Sequence, residues 1–265
     1  MKFYKVRDMD FLMDDNFPRP LVALAGNPNT GKSTIFNALT GLKQHTGNWP
    51  GKTVSLARGT FYHRNVKFCV VDLPGTYSLL ANSLEEQVAR NFILFNRPDV
   101  MLVITDATCL ERNLNLALQI MEITDRIIVC VNLIDEAAKK GIYVDGDVLS
   151  KELGVPVVAT AARRGIGLFE LKEMIFKVYS GKVKPSPRKV NYGEELEKAI
   201  GELVPRLENT FSGRINPRWA ALSIISGDYS IEDLEELVKI RDESREESAY
   251  GYSFFSQLPG NRGLK

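Results

Sequence analysis

From residue 21 to about residue 180, short runs of Val, Ile and Leu alternate with longer stretches in which apolar side chains recur every three or four positions. Continuous apolar runs are the mark of strands buried on both faces, whereas the wider spacing lines one face of a helix. The pattern predicts strands over 21–25, 67–72, 100–106, 126–132 and 155–160. Helices are expected between and after them over 33–40, 85–96, 113–123, 147–153 and 168–179. Residues 55–63 alternate as an edge strand would and are expected to pair with 67–71. Such alternation specifies an α/β unit, a mostly parallel sheet flanked by helices.

The pattern changes after residue 180. Residues 181–193 hold Lys182, Lys184, Pro185, Pro187, Arg188 and Lys189, a basic stretch whose prolines cannot continue a helix. Beyond it only helical patterns occur, over 194–211 with Pro205 as a kink or break, over 217–225, and over 231–243. Ser230 followed three residues later by Asp233 has the form of a capping box opening the last of these. The expected division is an N-terminal extension over 1–20, the α/β domain over 21–180, a linker over 181–193 and a small helical domain over 194–265, its last residues, 257–265, frayed or cut.

Composition narrows the function classes. The longest apolar runs, 100–104 and 127–131, have strand length and cannot span a bilayer, so the fragment is expected to be soluble. Residues 1–20 mix acidic and basic side chains with apolar ones, unlike a secretion signal, which indicates the cytosol. With 34 basic and 33 acidic side chains, the net charge of +1 gives no electrostatic basis for nucleic acid as a partner. Cys69, Cys109 and Cys130 form no CxxC pair, and Cys69 and Cys130 lie in apolar runs as core fillers. His45 and His63, the only histidines, are expected on the surface or in loops rather than on a metal.

The chemistry is concentrated at strand ends. Gly26-Asn27-Pro28-Asn29-Thr30-Gly31-Lys32-Ser33 satisfies G-x-x-x-x-G-K-[ST] between a predicted strand and a predicted helix. Glycines there let main-chain N–H groups and the helix N-terminus, through Thr34, face phosphate oxygens. Lys32 would reach the terminal phosphates, and the Ser33 hydroxyl would hold Mg²⁺. Asp72-Leu73-Pro74-Gly75 ends the next buried strand at the same sheet edge. Asp72 can orient water on Mg²⁺ there and the Gly75 N–H can approach a last phosphate, although the four residues alone are only a turn signal. Asn132-Leu133-Ile134-Asp135 has the spacing of a base-reading loop, with Asp135 accepting two parallel N–H bonds from guanine and Asn132 bracing the phosphate loop; a solvated acidic turn is the other reading. Small residues at Thr160, Ala161 and Ala162 would let main-chain N–H groups reach the base oxygen.

These residues resemble the small GTPase superfamily, with its Ras-like P-loop NTPase fold, and more narrowly the cytosolic part of the prokaryotic ferrous iron transporter B (FeoB) family. The narrower likeness is carried by G-N-P-N-T-G-K-S at 26–33, G-N-W-P-G-K-T-V at 47–54, D-L-P-G-T-Y at 72–77 and N-L-I-D at 132–135, followed by a helical module. The resemblance implies GTP and GDP as ligands, Mg²⁺ held by Ser33, Thr53 and Asp72, and Thr53 on the first switch. It implies K⁺ beside the phosphates, held by Asn29 and main-chain carbonyls of Gly47 and Trp49, where Asn29 could otherwise cap a turn and Trp49 could otherwise pack. Lys32, Thr53, Gly75 and Asn29 would carry hydrolysis. The partner would be the membrane portion of the same transporter, at the cytoplasmic face of the bacterial inner membrane, and homo-oligomerisation is left open.

Three departures qualify the resemblance. Thr76 stands where Ras-like proteins place a water-orienting glutamine, which implies slow intrinsic hydrolysis. Leu133 replaces a lysine common in this loop, which implies weaker guanine affinity and fast exchange. Lys52 precedes Thr53 where the family has an apolar residue. Two other readings share the nucleotide motifs: a soluble GTPase of ribosome assembly or RNA modification, and a regulatory clamp that binds nucleotide with little turnover. The helical module fits either a coupling element or a passive extension.

Overall fold

Apolar runs without polar alternation form the centre of the sheet. In the computed structural model, which describes residues 19–41, 45–47, 56–80, 83–239 and 242, the first run is β1 (Leu21–Gly26), buried at every position. α1 (Lys32–Thr40), β2 (His45–Gly47), β3 (Leu56–His63), β4 (Val66–Asp72) and α2 (Leu84–Asn96) follow. Next come β5 (Val100–Asp106), α3 (Leu110–Ile123), β6 (Ile127–Asn132), α4 (Ile134–Lys139), α5 (Gly146–Leu153), β7 (Val157–Ala159) and α6 (Leu168–Tyr179). The chain closes on α7 (Glu194–Phe211), α8 (Pro217–Ile225) and a helical stretch over 231–239.

The described strands form one sheet in the order β2-β3-β4-β1-β5-β6-β7. The pairs β4–β1, β1–β5, β5–β6 and β6–β7 are parallel; β2–β3 and β3–β4 are antiparallel. Successive side chains of a strand face opposite sides, so Val22 and Leu24 pack with Phe36 of α1 and Ile175 of α6, while Ala23 and Ala25 pack with Phe92 of α2 and Ile120 of α3. With four parallel pairings in register, Gly26, Asp72, Asp106, Asn132 and Ala159 all end at one edge, where open α/β sheets bind ligands.

Differences from the sequence-based expectation have local causes. β7 is shorter than the expected 155–160, because Pro156 has no N–H to donate and contributes only its carbonyl, to Val129 N at 3.0 Å. α3 begins three residues early, since a 3-10 turn over Ala107–Cys109, capped by the Asp106 carboxylate on Thr108 N at 2.7 Å, leads into it. β2 and α4 were not expected at all, both being too short to show a period. α7 runs through Pro205 without a break. Both histidines lie on strands, and the His63 side chain is largely buried, with Nε2 2.9 Å from the Glu173 carboxylate. Cys69 and Cys130 are core residues, burial pushing the Cys130 thiol up to about 12, whereas Cys109 is exposed. Ser230 and Asp233 exchange both capping-box bonds, at 2.8 and 3.1 Å.

The helical part sits directly on α3. Ile200, Leu207, Phe211, Trp219 and Leu234 belong to the same apolar cluster as Phe92 and Ile120. A charged seam closes the contact: Arg218 of α8 donates to Glu122 of α3 at 3.0 Å and to Glu197 of α7 at 2.8 and 2.9 Å. Arg218 also donates to the Val190 carbonyl at 2.9 Å. Glu122, its side chain 4% exposed, accepts from Val190 N as well, at 3.2 Å. Arg218 beside Glu197 draws that carboxyl down to about 2. Residues 184–193, which carry no helix or strand, are held along their course, with Ser186 N and Arg188 N donating to Gly154 and Leu153 carbonyls, each at 2.9 Å.

Removing one partner of a buried pair leaves the other uncompensated. Glu122→Ala is expected to lower unfolding free energy by about 3 kcal/mol, read from the urea midpoint; a loss below about 0.5 kcal/mol would show that the seam contributes no more than a surface pair.

Candidate functional site

β1 leads into a bend that the sequence shapes residue by residue. A side chain at Gly26 would begin 2.6 Å from the Ile104 carbonyl of the neighbouring strand, so only glycine fits there. Asn29 has φ 69, a left-handed conformation that asparagine tolerates. The buried Thr30 hydroxyl donates to the Asn27 carbonyl at 2.9 Å, closing the bend from inside. Gly31, with φ 82, ends it and precedes α1, whose first turn has neither a side-chain cap nor an acidic residue. The first amides of α1 therefore form an uncapped positive end, suited to an anion. Pro28, Asn29 and Ser33 are exposed at this edge, and Thr34 is half-buried.

Lys32 points along the edge to the end of β4. Its ammonium lies 2.5 Å from Asp72 Oδ1 and 2.6 Å from the Leu73 carbonyl. Burial pushes the Asp72 carboxyl up, and Lys32 with Ser33 pulls it back. The chain then crosses over the bend: Leu73 N donates to the Leu24 carbonyl at 3.0 Å and Thr76 N to the Gly26 carbonyl at 3.2 Å. Gly75 lies against Pro28, its missing side chain starting 3.5 Å from the proline ring's N and Cα. Thr76 is buried, its hydroxyl turned onto Ser78, whose N–H it accepts at 3.1 Å while donating to the Ser78 carbonyl. Arg112 of α3 stacks on Tyr77, 4.4 Å from the ring centroid, and Leu79 N donates to Gln119 of α3 at 2.7 Å.

Asn132, at the end of β6, ties three segments together. Its Nδ2 donates to the Thr30 carbonyl at 3.0 Å, while its Oδ1 accepts from the Thr160 hydroxyl at 3.0 Å and Ala162 N at 3.2 Å. A side chain at Gly31 would begin 2.4 Å from that same Nδ2. Leu133 has φ 62, a costly conformation for leucine, and this turns the chain so that α4 starts at once, with the half-buried Asp135 in its first turn. Ile134 N donates to the Thr160 carbonyl at 3.2 Å, binding the Asp135 loop to the 160–162 loop.

The amides expected to reach a base oxygen do not face outward. Thr160 N donates to the Val131 carbonyl at 2.8 Å, Ala161 N to the Ile166 carbonyl at 3.1 Å, and Ala162 N to Asn132. The small side chains of Ala161 and Ala162 are both buried. Thr53, Trp49 and Lys52 lie outside the described residues, and of Gly47 the backbone alone is placed, opposite Leu56 in the β2–β3 ladder. Gly26 to Ser33, Asp72 to Gly75, Asn132 and Asp135 thus meet at one edge, with Thr160, Ala161 and Ala162 supporting them from behind. The spacing of motifs gave no sign of the inward Thr76, the Lys32–Asp72 pair or the committed amides, because each depends on which segment folds over which.

Removing the Asn132 amide leaves the Thr30 carbonyl, the Thr160 hydroxyl and Ala162 N without this partner. Asn132→Ala should therefore lower stability by roughly 2–4 kcal/mol and abolish slow hydrogen exchange at the Ala162 amide. Unaltered protection at Ala162 would show that the three segments hold together without it.

Comparison with known proteins identifies the arrangement. The family described as ferrous iron transport protein B matches residues 21–175, and the FeoB cytosolic helical domain matches residues 192–250. Over 211 residues the chain is 40% identical to an Fe(2+) transport protein A/Fe(2+) transporter FeoB fusion protein of Porphyromonas gingivalis, covering 78% of this chain and 25% of that protein. It is 38% identical to the Fe(2+) transporter FeoB of Escherichia coli K12, covering 78% of this chain and 27% of that protein. The chain thus spans about a quarter of the length of the curated relatives it matches. The cytosolic domain of the T. maritima FeoB iron transporter in apo form superposes with a TM-score of 0.73 at 37% identity, over 87% of this chain and 97% of that one. The GMPPNP form of the same domain gives 0.71 at 37% identity, over 87% and 98%. The P-loop GTPase-type sheet and the helical module packed on it are those of this family, and the chain belongs to the ferrous iron transport protein B family.

Proposed function

We propose that the chain is a guanine-nucleotide switch that hydrolyses GTP and serves as the nucleotide-reading part of a ferrous iron transporter. One observation carries the reading: an uncapped helix N-terminus, Lys32 and Asp72 meet at a sheet edge that Asn132 ties to the Asp135 loop. An anion-binding end and a base-reading carboxylate on one rigid frame suit a nucleotide rather than free phosphate. T. maritima FeoB, 36% identical here, has been solved in a GDP form, and its GMPPNP form supports a triphosphate ligand.

In this mechanism the α1 amides and Lys32 hold the β- and γ-phosphate oxygens, and Asp135 accepts two N–H bonds from guanine. Water oxygen bonds to the γ-phosphorus as the bond to the bridging oxygen breaks, and GDP, phosphate and a proton are the products. Thr76 has its hydroxyl engaged with Ser78 and its N–H with the Gly26 carbonyl, so main-chain groups of residues 74 and 75 position the water. The Ser33 hydroxyl and Asp72 carboxylate interact at the cradle, an all-oxygen donor pair that suits Mg²⁺, with Thr53 completing the set. Asn29, turned into the bend's exposed edge, suits K⁺ together with the Gly47 and Trp49 carbonyls. Both cations supply charge neutralisation on the phosphate oxygens when bound. Loss of the γ-phosphate would release Thr53 and Gly75, and the helical part, seated on the helix that Tyr77 and Leu79 touch, would read the change.

The transporter role is supported by the relatives' names and by the match to their cytosolic helical domain. On this reading the chain works at the cytoplasmic face of the inner membrane, with the transporter's membrane portion as partner. Among the described residues no helix is long and apolar enough to cross a membrane.

Steady-state phosphate release from GTP should exceed the buffer rate and rise when K⁺ replaces Na⁺. No turnover in either salt would leave a regulatory clamp as the better reading, and equal rates would remove only the K⁺ role of Asn29. Asp135→Asn should weaken GTP binding by about tenfold or more and reduce its preference over ATP, because one carboxylate acceptor becomes a donor. Unchanged selectivity in competition titrations would mean that the base is read elsewhere.

A further inference from the structure

Asn27 is 2% exposed, and neither its amide nitrogen nor its amide oxygen has a hydrogen-bond partner. Buried polar groups are nearly always bonded, and leaving both ends of an amide unmatched is costly. A leucine or alanine would fill this position without that cost. Its main-chain carbonyl is already used, accepting from Thr30 N at 3.4 Å and the Thr30 hydroxyl at 2.9 Å. Both polar ends of the side chain keep their capacity.

Its surroundings indicate what could use it. Residues on either side of Asn27 are crossed by one segment, through Leu73 N on the Leu24 carbonyl, Thr76 N on the Gly26 carbonyl, and Gly75 against Pro28. That segment is also held by Lys32, whose ammonium binds the Leu73 carbonyl at 2.6 Å and Asp72 at 2.5 Å. An ammonium that moves onto a phosphate tail gives up the Leu73 carbonyl. The segment then loses an anchor where it crosses Leu24, Gly26 and Pro28, the residues among which Asn27 is buried with its amide unmatched.

We propose that Asn27 is a positioning residue, whose side-chain amide takes hold of the main chain of residues 73–76 when Lys32 transfers to the terminal phosphates of the nucleotide. The inference rests on the reading of this edge as a guanine-triphosphate cradle. An amide unmatched in one arrangement and bonded in the other contributes a free-energy difference between them, which is what a two-state switch requires. Asn27 thereby biases residues 73–76 toward their triphosphate-bound placement while leaving the phosphates to the main chain and Lys32.

The test uses the full chain with Asn27→Ala and with Asn27→Ser, which keeps one hydroxyl. Titration with fluorescent GDP and GMPPNP gives the ratio of the two affinities. The preference for GMPPNP over GDP is expected to fall about tenfold in the alanine variant, the effect of one buried hydrogen bond present in a single state, and by less in the serine variant. Without nucleotide the alanine variant should melt no lower than wild type, because it removes an unmatched amide. Hydrogen exchange should show 73–76 more protected with GMPPNP than with GDP in wild type, and this difference should be lost in Asn27→Ala. An unchanged ratio, or equal weakening of both nucleotides, overturns the proposal, since a side chain that only shapes the bend would affect both alike. If the alanine variant does not fold, the serine variant decides by the same ratio. If wild type binds neither nucleotide, the cradle reading itself fails; if it binds both and the ratio is unmoved, only the role of Asn27 fails.

Discussion

The candidate site depends on a single buried amide. Asn132 donates to the bend at Thr30 and accepts from Thr160 and Ala162, so two segments far apart in sequence are fixed to one end of β6. The demand is specific, because one end of the side chain must donate and the other must accept twice. An aspartate would set a negative oxygen against the Thr30 carbonyl, and an apolar residue would take this partner from all three groups in a low-dielectric interior. The same amide explains Gly31, whose left-handed turn brings it too close to Nδ2 for any side chain.

Around this fixed frame, the 73–80 segment is held by contacts of another kind. Lys32 bridges Asp72 and Leu73, the Thr76 hydroxyl turns back on Ser78, and Tyr77 and Leu79 rest on α3 through Arg112 and Gln119. At its opposite end α3 carries Glu122, where Arg218 and Val190 fasten the helical part. One helix therefore touches both the segment beside the phosphate bend and the module beyond the sheet. The apolar cluster running from Phe92 and Ile120 to Trp219 and Leu234 makes that module part of the same packed body among the described residues.

Much of the fold was legible because its signals are local. The runs at 21–25, 100–106 and 126–132 carry too little polarity for any place but the sheet interior, and α6 and α8 begin and end where the apolar period does. The bend after β1 was legible for a similar reason, since Gly26 and Gly31 act through backbone geometry within a few positions. β2 and α4 were not, being shorter than any period that could reveal them.

By itself the sequence determined the α/β class and the helical module after it, since apolar periodicity and backbone-specific residues act over a few positions. Only the tertiary structure decided which groups remain available. The amides of Thr160, Ala161 and Ala162 are consumed by internal bonds, Thr76 faces inward, and Asn27 is buried with nothing to bond. Hydrogen-bond capacity is shared between segments that meet only after folding, so no reading along the chain could assign it.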